Sequence, residues 1–191
     1  MRLLQDDQSA LVRRIEELEQ RLAQAEALAE RDPLTGVLNR RGFMRALEQA
    51  IAFADRYQEP AAVVFLDLDG FKAVNDGYGH AAGDAVLKHV TRILMSNVRE
   101  SDSVGRLGGD EFGVVLARAA PDEAIRKGEA LAALISETPC LFAGVAHRVA
   151  ASAGTRSLMR ADNPELALAA ADEAMYADKR ARRLSRPMPV F

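Results

Sequence analysis

The 191-residue sequence predicts an α+β domain preceded by a coiled-coil helix. Three observations carry that expectation. Residues 1–31 contain neither Gly nor Pro and follow a heptad. Beyond them, helix-period stretches alternate with short apolar runs of strand length. Gly108-Gly109 separates two of those runs, a hairpin signal, because glycine accepts φ > 0 without steric cost.

Composition narrows the function classes. Hydrophobic residues make up 49% of the chain and aromatics 5%, which gives an aliphatic core large enough to stand without disulfides. With 25 basic against 28 acidic residues and a net charge of −3, the chain lacks the basic footprint of a nucleic-acid binder. The single cysteine, Cys140, forms no disulfide framework and suits a reducing cytoplasm. No apolar run approaches the roughly 18 residues of a membrane span. Asp6 and Asp7 interrupt any signal-peptide core. The expectation is a soluble, cytoplasmic protein with no membrane segment in this chain.

In the first helix Met1, Gln8, Ile15, Leu22 and Ala29 fall at one seam position, and Leu4, Leu11, Leu18 and Ala25 at the other. Ile at a with Leu at d favours a parallel two-stranded coil. Arg14 with Glu19, and Arg21 with Glu26, occupy g and following e positions that meet across such a dimer. The alternative is an amphipathic helix docked on its own domain. Asp32-Pro33-Leu34-Thr35-Gly36 then breaks the helix, which divides the chain into a coil (1–31), a domain (32–186) and a short tail (187–191).

Asn39 can cap a helix running to about Tyr57. Ala61–Leu66 reads as a central strand buried on both faces. Alternation continues it with Asp67 and Asp69 on one side and Leu68 on the other. Two carboxylates there are costly unless paired or metal-bound, although strand-end acids also serve as simple caps. Asn75 to His80 reads as a polar loop and Gly83-Asp84 as the opening of a helix over Ala85–Val98, with Asp84 an N-cap and His80 a surface residue. The Gly108-Gly109 hairpin carries Asp110 and Glu111 near its tip; taken alone, this is the sequence of a solvated turn. Pro121–Thr138 reads as an amphipathic helix, Cys140–Ala153 as two short strands turning near Gly144, and Pro164 opens a last helix that ends in a basic run, Lys179-Arg180-Ala181-Arg182-Arg183.

These blocks occur in an order that resembles the GGDEF family of diguanylate cyclases over about residues 31–184. The likeness rests on Asp32-Pro33-Leu34-Thr35-Gly36 with Asn39-Arg40-Arg41, Asp67-Leu68-Asp69-Gly70-Phe71-Lys72 with Asn75-Asp76, Tyr78-Gly79-His80, and Gly83-Asp84. It continues through Gly108-Gly109-Asp110-Glu111-Phe112, Ser152-Ala153-Gly154, Ala171-Asp172, Met175-Tyr176 and Lys179. The resemblance implies an α/β-sandwich-like fold, a five-stranded central sheet wrapped by helices and similar to the palm of nucleic-acid polymerases. It also implies an enzyme that joins two GTP molecules into cyclic di-GMP with release of two pyrophosphates, one GTP being held by each domain of a homodimer. An upstream sensor acting through the coil fits the same pattern.

Site roles follow from that likeness. Asp67, the Leu68 carbonyl, Asp110 and Glu111 are implied to hold two Mg²⁺ ions, with Mn²⁺ as an alternative, and either Asp110 or Glu111 to take the attacking hydroxyl's proton. Asn75 and Asp84 match the guanine contacts; a carboxylate can accept from guanine N1–H and N2–H₂ together. Phe71, Lys72, His80, Gly108, Gly109, Lys179 and Arg183 are implied to touch the rest of GTP. Arg99 and Asp102 match an RxxD motif at which cyclic di-GMP inhibits; equally, Arg99 could serve the helix dipole with Asp102 as its partner. Where family members end in Gly-Arg-Asn, this chain has Arg182-Arg183-Leu184, which bears on Arg183. The rival reading is a silent receptor for GTP or cyclic di-GMP, against which the intact Asp110 and Glu111 argue.

Overall fold

A computed structural model describes residues 14, 15, 21, 29–159 and 162–185, with side chains as far as 180. Arg14, Ile15 and Arg21 are helical; the rest of the coil reading over 1–28, and the tail, lie outside the described residues.

Asn39 starts α1 (Arg40–Tyr57) as its side chain predicts: it sits at φ −78, ψ 178 and its Oδ1 accepts from Gly42 N at 3.0 Å. Such a cap stabilises by about 1 kcal/mol. Its amide nitrogen also donates to the Ala29 and Arg31 carbonyls, fastening the incoming chain to α1. There follow β1 (Ala61–Asp69), α2 (Phe71–Tyr78), α3 (His80–Ser96), β2 (Ser103–Arg106), β3 (Glu111–Ala117), α4 (Pro121–Glu137), β4 (Cys140–Phe142), β5 (Val145–His147), β6 (Ala150–Leu158) and α5 (Pro164–Ser185). No helix among the described residues is long and apolar enough to cross a membrane.

The central sheet runs β2-β3-β1-β6, every pair antiparallel. Strand alternation sorts two cores. Ala62, Val64, Leu66 and Leu68 of β1 pack with the apolar faces of α2, α3 and α4. Ala61, Val63 and Phe65 pack with Phe43, Leu47 and Ile51 of α1 and with Leu168, Ala171 and Met175 of α5. Each fully buried large side chain contributes about 2 kcal/mol. Asp67 and Asp69 continue the odd register, so they emerge on the α1–α5 face.

Three expectations need correction. The resemblance implies five strands, but the described sheet has four, with β4 and β5 forming a separate ribbon. Leu38 lies beside β2, donating to Val104 O at 3.1 Å and accepting from Arg106 N at 2.7 Å. It stays a single bridge because the Asp32–Gly36 turn and the α1 cap hem it in on either side. The expected loop at Asn75–His80 is instead the end of α2 and the start of α3. The expected opening at Gly83-Asp84 lies inside α3, which begins at His80. Gly79 alone, at φ 81, separates the two helices, a break so short that sequence pattern blurs it into a loop.

One close approach aligns α5 with the site. A Cβ on Gly154 of β6 would run into the backbone of Ala171 and Met175. The absence of a side chain lets α5 cross directly on the sheet, and one turn beyond Met175 it delivers Lys179 to the end of β1.

Candidate functional site

At the end of β1, register does the assembling. Asp67 has Glu111 of β3 as its partner on one side and Ser152 of β6 on the other. Directly opposite residues in a ladder share a face, so Asp67 and Glu111 meet. Leu68 N donates to Asp110 O at 3.2 Å and pins the hairpin to the strand end. Lys179 bridges the pair of strand-end acids, bonding Asp67 Oδ1 and, at 2.6 Å, Asp69 Oδ1. Ser152, buried on β6, donates to Asp69 Oδ2 at 2.7 Å.

Charge in this cluster is crowded. Partial burial and then the Asp67 charge push the Asp110 carboxyl above its ordinary range. Burial followed by Asp67, Asp110 and Asp172 does the same to Glu111, with Arg40 opposing. Burial works against the Lys179 ammonium, but its bonds to Asp67 and Asp69 outweigh it and hold the group above an ordinary lysine.

The β2–β3 turn closes through Leu107 N to Glu111 O at 2.8 Å. Of its two glycines Gly108 alone is required, and for a reason other than the left-handed turn the sequence suggested: neither Gly108 nor Gly109 has positive φ. A Cβ on Gly108 would strike the Glu111 carboxylate, whereas Gly109 faces open space. The Gly109 carbonyl accepts from Arg106 Nε at 3.1 Å and Nη2 at 2.7 Å, and Arg106 Nη1 pairs with Asp32 at 3.2 Å. Asp32 in turn accepts from Thr35 N and Oγ1 at 2.8 and 2.6 Å. Burial opposes ionisation of Asp32, but the Thr35 and Arg106 bonds prevail and hold its carboxyl below the ordinary value. The turn that ends the N-terminal segment is thus tied to the acidic hairpin.

Asn75 and Asp84 approach through the α2–α3 contact. A Cβ on Gly83 would overlap the Asn75 side chain, so Asn75 lies against α3 beside the exposed Asp84. Phe71 is buried beneath α2 in the core rather than exposed, while Lys72 and His80 are exposed at the starts of α2 and α3. Arg183 lies in the last turn of α5, beyond the described side chains.

The donor set at β1 consists of carboxylate oxygens and backbone carbonyls, which suit hard cations such as Mg²⁺ or Mn²⁺. Among the described residues, no three His, Cys, Asp or Glu side chains converge as a ready-made metal cage. Mg²⁺ in nucleotide sites uses one or two carboxylates completed by water and phosphate oxygens. The Lys179 ammonium between Asp67 and Asp69 is a stand-in cation that marks where positive charge is favoured. The residues therefore fit a metal completed by substrate.

Arg99 and Asp102 lie elsewhere, lining a surface cavity of about 370 Å³ with Arg118, Glu123, Arg126 and Lys127. Asp102 does not pair with the Arg99 guanidinium: its oxygens accept from Arg99 N at 2.9 Å and Ala117 N at 3.1 Å. That leaves the exposed Arg99 side chain to the cavity. Arg118, Arg126 and Lys127 escaped sequence reading because they sit on separate elements. Asp69 was legible only as a strand-end acid beside Asp67, while Ser152 and Asp32 escaped as site residues because only sheet register and turn geometry bring them in.

Residues 29–185 match the family described as "Diguanylate cyclase, GGDEF domain". Among curated relatives, the probable diguanylate cyclase DgcE of Escherichia coli is 36% identical over 175 residues, 91% of this chain and 16% of that protein. Diguanylate cyclase TpbB of Pseudomonas aeruginosa is 38% identical over 189 residues, 96% of this chain and 43% of that protein. The chain thus spans less than half the length of these relatives. Among solved structures, the coiled coil and GGDEF domain of DgcB from Caulobacter crescentus, in complex with c-di-GMP, is similar with a TM-score of 0.78 and 25% identity. That match covers 93% of this chain and 95% of the other. Diguanylate cyclase SiaD of Pseudomonas aeruginosa, in complex with its activator SiaC, gives 0.75 at 31% identity over 93% of this chain and 70% of the other.

Proposed function

The chain belongs to the GGDEF family of diguanylate cyclases, and we propose that it condenses two GTP molecules into cyclic di-GMP, with Asp67, Asp110 and Glu111 as its reacting acids. The observation that carries this reading is the acidic cluster at the β1–β3 ladder, intact and facing Lys179. In each half-reaction a ribose 3′-oxygen attacks the α-phosphorus of the other GTP. The bond from that phosphorus to the β-phosphate oxygen breaks, and pyrophosphate leaves. The hydroxyl proton passes to Asp110 or Glu111, whose raised proton affinity suits a general base. Two such steps close the ring.

Asp67, Asp110, Glu111 and the Leu68 carbonyl would hold divalent metal, which neutralises triphosphate charge and stabilises the attacking and leaving oxygens. Lys72 and Lys179, joined by Arg183, would neutralise the remaining phosphate charge, and Phe71 would support the loop beneath it from the core. Gly109 leaves room for nucleotide, Gly108 for the Glu111 carboxylate. Asn75 and Asp84 would select guanine, with His80 bordering the same mouth.

Each domain (32–186) would hold one GTP, so the reaction needs two copies face to face. The heptad and the exposure of Ile15, at 54%, support a parallel coil as the dimer contact. An upstream sensor would then act through that coil, and GTP as substrate implies a cytoplasmic site of action. The cationic cavity at Arg99 supports an inhibitory site for the product. The test is incubation of the purified chain with GTP and Mg²⁺. Two pyrophosphates per cyclic di-GMP are expected, with a rate that rises faster than linearly in protein at low concentration. Binding of GTP with no pyrophosphate at any concentration would leave only the receptor reading.

A further inference from the structure

A lysine ammonium shared by two carboxylates is a cation carried by the chain itself. Lys179 Nζ lies between Asp67 and Asp69, and the three side chains are only 18%, 22% and 32% exposed. Both ends of the arrangement are built. Asp69 is anchored through its second oxygen by the buried Ser152 hydroxyl at 2.7 Å. On α5, buried Met175, one turn before Lys179, lies against the sheet at Gly154. Asp67 is the member of the pair that faces Glu111 across the ladder, in the acidic cluster with Asp110.

We infer that Lys179 is a resident occupant of the cation position at Asp67, that a divalent cation displaces it, and that Asp69 is the positioning residue that retains it in the site. The inference rests on the metal-dependent reading above. One carboxylate oxygen does not serve an ammonium and a divalent ion together, because the two cations would stand a few ångströms apart with little water between them. Released from Asp67 and still held by Asp69, the ammonium meets the incoming triphosphate. Nucleotide therefore gives the displaced lysine a new partner, and cation and nucleotide bind cooperatively, each tightening the other.

Mn²⁺ titration of the full chain, followed by electron paramagnetic resonance of the free ion, compares wild type with Lys179→Met. Without nucleotide, the variant should bind Mn²⁺ several-fold more tightly, and a GTP analogue with a non-cleavable α–β bridge, its own Mn²⁺ binding subtracted, should tighten Mn²⁺ binding less than it does in wild type. Spectra selective for lysine ammonium groups, assigned through side-chain correlations, read wild type alone: the Lys179 signal should shift when Mg²⁺ is added. Asp69→Asn should raise the KM for GTP, and a KM no higher than wild type's overturns the positioning role. Equal or weaker Mn²⁺ binding by a folded Lys179→Met, or an unmoved Lys179 signal at saturating Mg²⁺, overturns the displacement and leaves the cyclase reading standing. No Mn²⁺ bound by either protein beyond what the analogue binds alone overturns that reading, and this inference with it.

Discussion

Asp67 and Glu111 stand opposite each other across the β1–β3 ladder, with Asp110 fixed beside them by its carbonyl's bond to Leu68 N. Like charges directly opposite in a sheet destabilise it, and partial burial, with the Asp67 charge added to it, raises the proton affinities of Asp110 and Glu111. For a carboxyl raised in the folded state, the favourable contribution is present below the ordinary value of 3.8 and is lost as pH rises through the folded value. Asp110→Asn should therefore raise the melting temperature of chelator-treated protein at neutral pH, by on the order of 2 °C for a half-buried group still screened by solvent. The gain should vanish at acid pH. The same variant should lose roughly 10²–10³-fold in pyrophosphate release. A variant that is both inactive and less stable at neutral pH would contradict this account of the cluster.

Arg106 joins the N-terminal turn to the hairpin by holding both the Asp32 carboxylate and the Gly109 carbonyl, with Arg106 and Asp32 side chains 17% and 15% exposed. Losing a partly buried charged hydrogen bond costs about 2 kcal/mol. Arg106→Ala should thus lower the melting temperature by about 5 °C. Because the Asp32 carboxyl is depressed, this stabilisation is present above its ordinary value of 3.8 and is lost as pH falls through the folded value. The difference between wild type and variant should shrink in acid. A constant difference from neutral pH to below 3.8 would mean that the pair contributes nothing.

Much of this arrangement was legible in the sequence, for identifiable reasons. The continuous apolar run at Ala61–Leu66, of strand length and rich in Val, reads as a strand buried on both faces, and Asn39 named its own helix start. Alternation alone placed Asp67 with Asp69. What sequence could not supply was register: no local signal says that Asp67 meets Glu111 and Ser152 rather than their neighbours. The loop expected at Asn75–His80 failed because one glycine at positive φ, Gly79, ends α2 and starts α3 without a polar spacer. The hairpin glycines were recognised with the wrong cause, since Gly108 makes room for the Glu111 side chain rather than supplying a left-handed turn.

At the proposed inhibitory site, Arg99 and Asp102 differ in what their side chains are committed to. The Asp102 carboxylate is committed to two backbone N–H groups, those of Arg99 and Ala117. Arg99 presents its side chain to the cavity alongside Arg118, Arg126 and Lys127. Arg99→Ala should weaken inhibition by added cyclic di-GMP at least several-fold with little change in melting temperature. Asp102→Ala should cost about 1 kcal/mol, chiefly for the partly buried Ala117 amide left without an acceptor, and relieve inhibition as well. Titrating initial rates with cyclic di-GMP, alongside thermal melts, checks both. Full inhibition retained in Arg99→Ala would remove the cavity from the account.

Gly83 offers a substitution in which stability and nucleotide affinity should move apart. The atoms its Cβ would meet first belong to the Asn75 side-chain amide, a group that can swing away. Gly83 lies in the first turns of α3, where alanine is favoured over glycine by about 1 kcal/mol. Gly83→Ala should therefore leave the melting temperature unchanged or slightly raised. The displaced Asn75 would no longer stand beside Asp84, and one of the two groups proposed to select guanine would be lost. A site that loses one such hydrogen bond should bind about tenfold more weakly, so the KM for GTP should rise by about that factor. Asn75→Ala should reproduce the effect, and the double variant should add little, because both changes remove the same contact. Additive losses in the double variant would show that Asn75 and Gly83 act on GTP separately, and an unchanged KM in both single variants would move guanine recognition off the α2–α3 face.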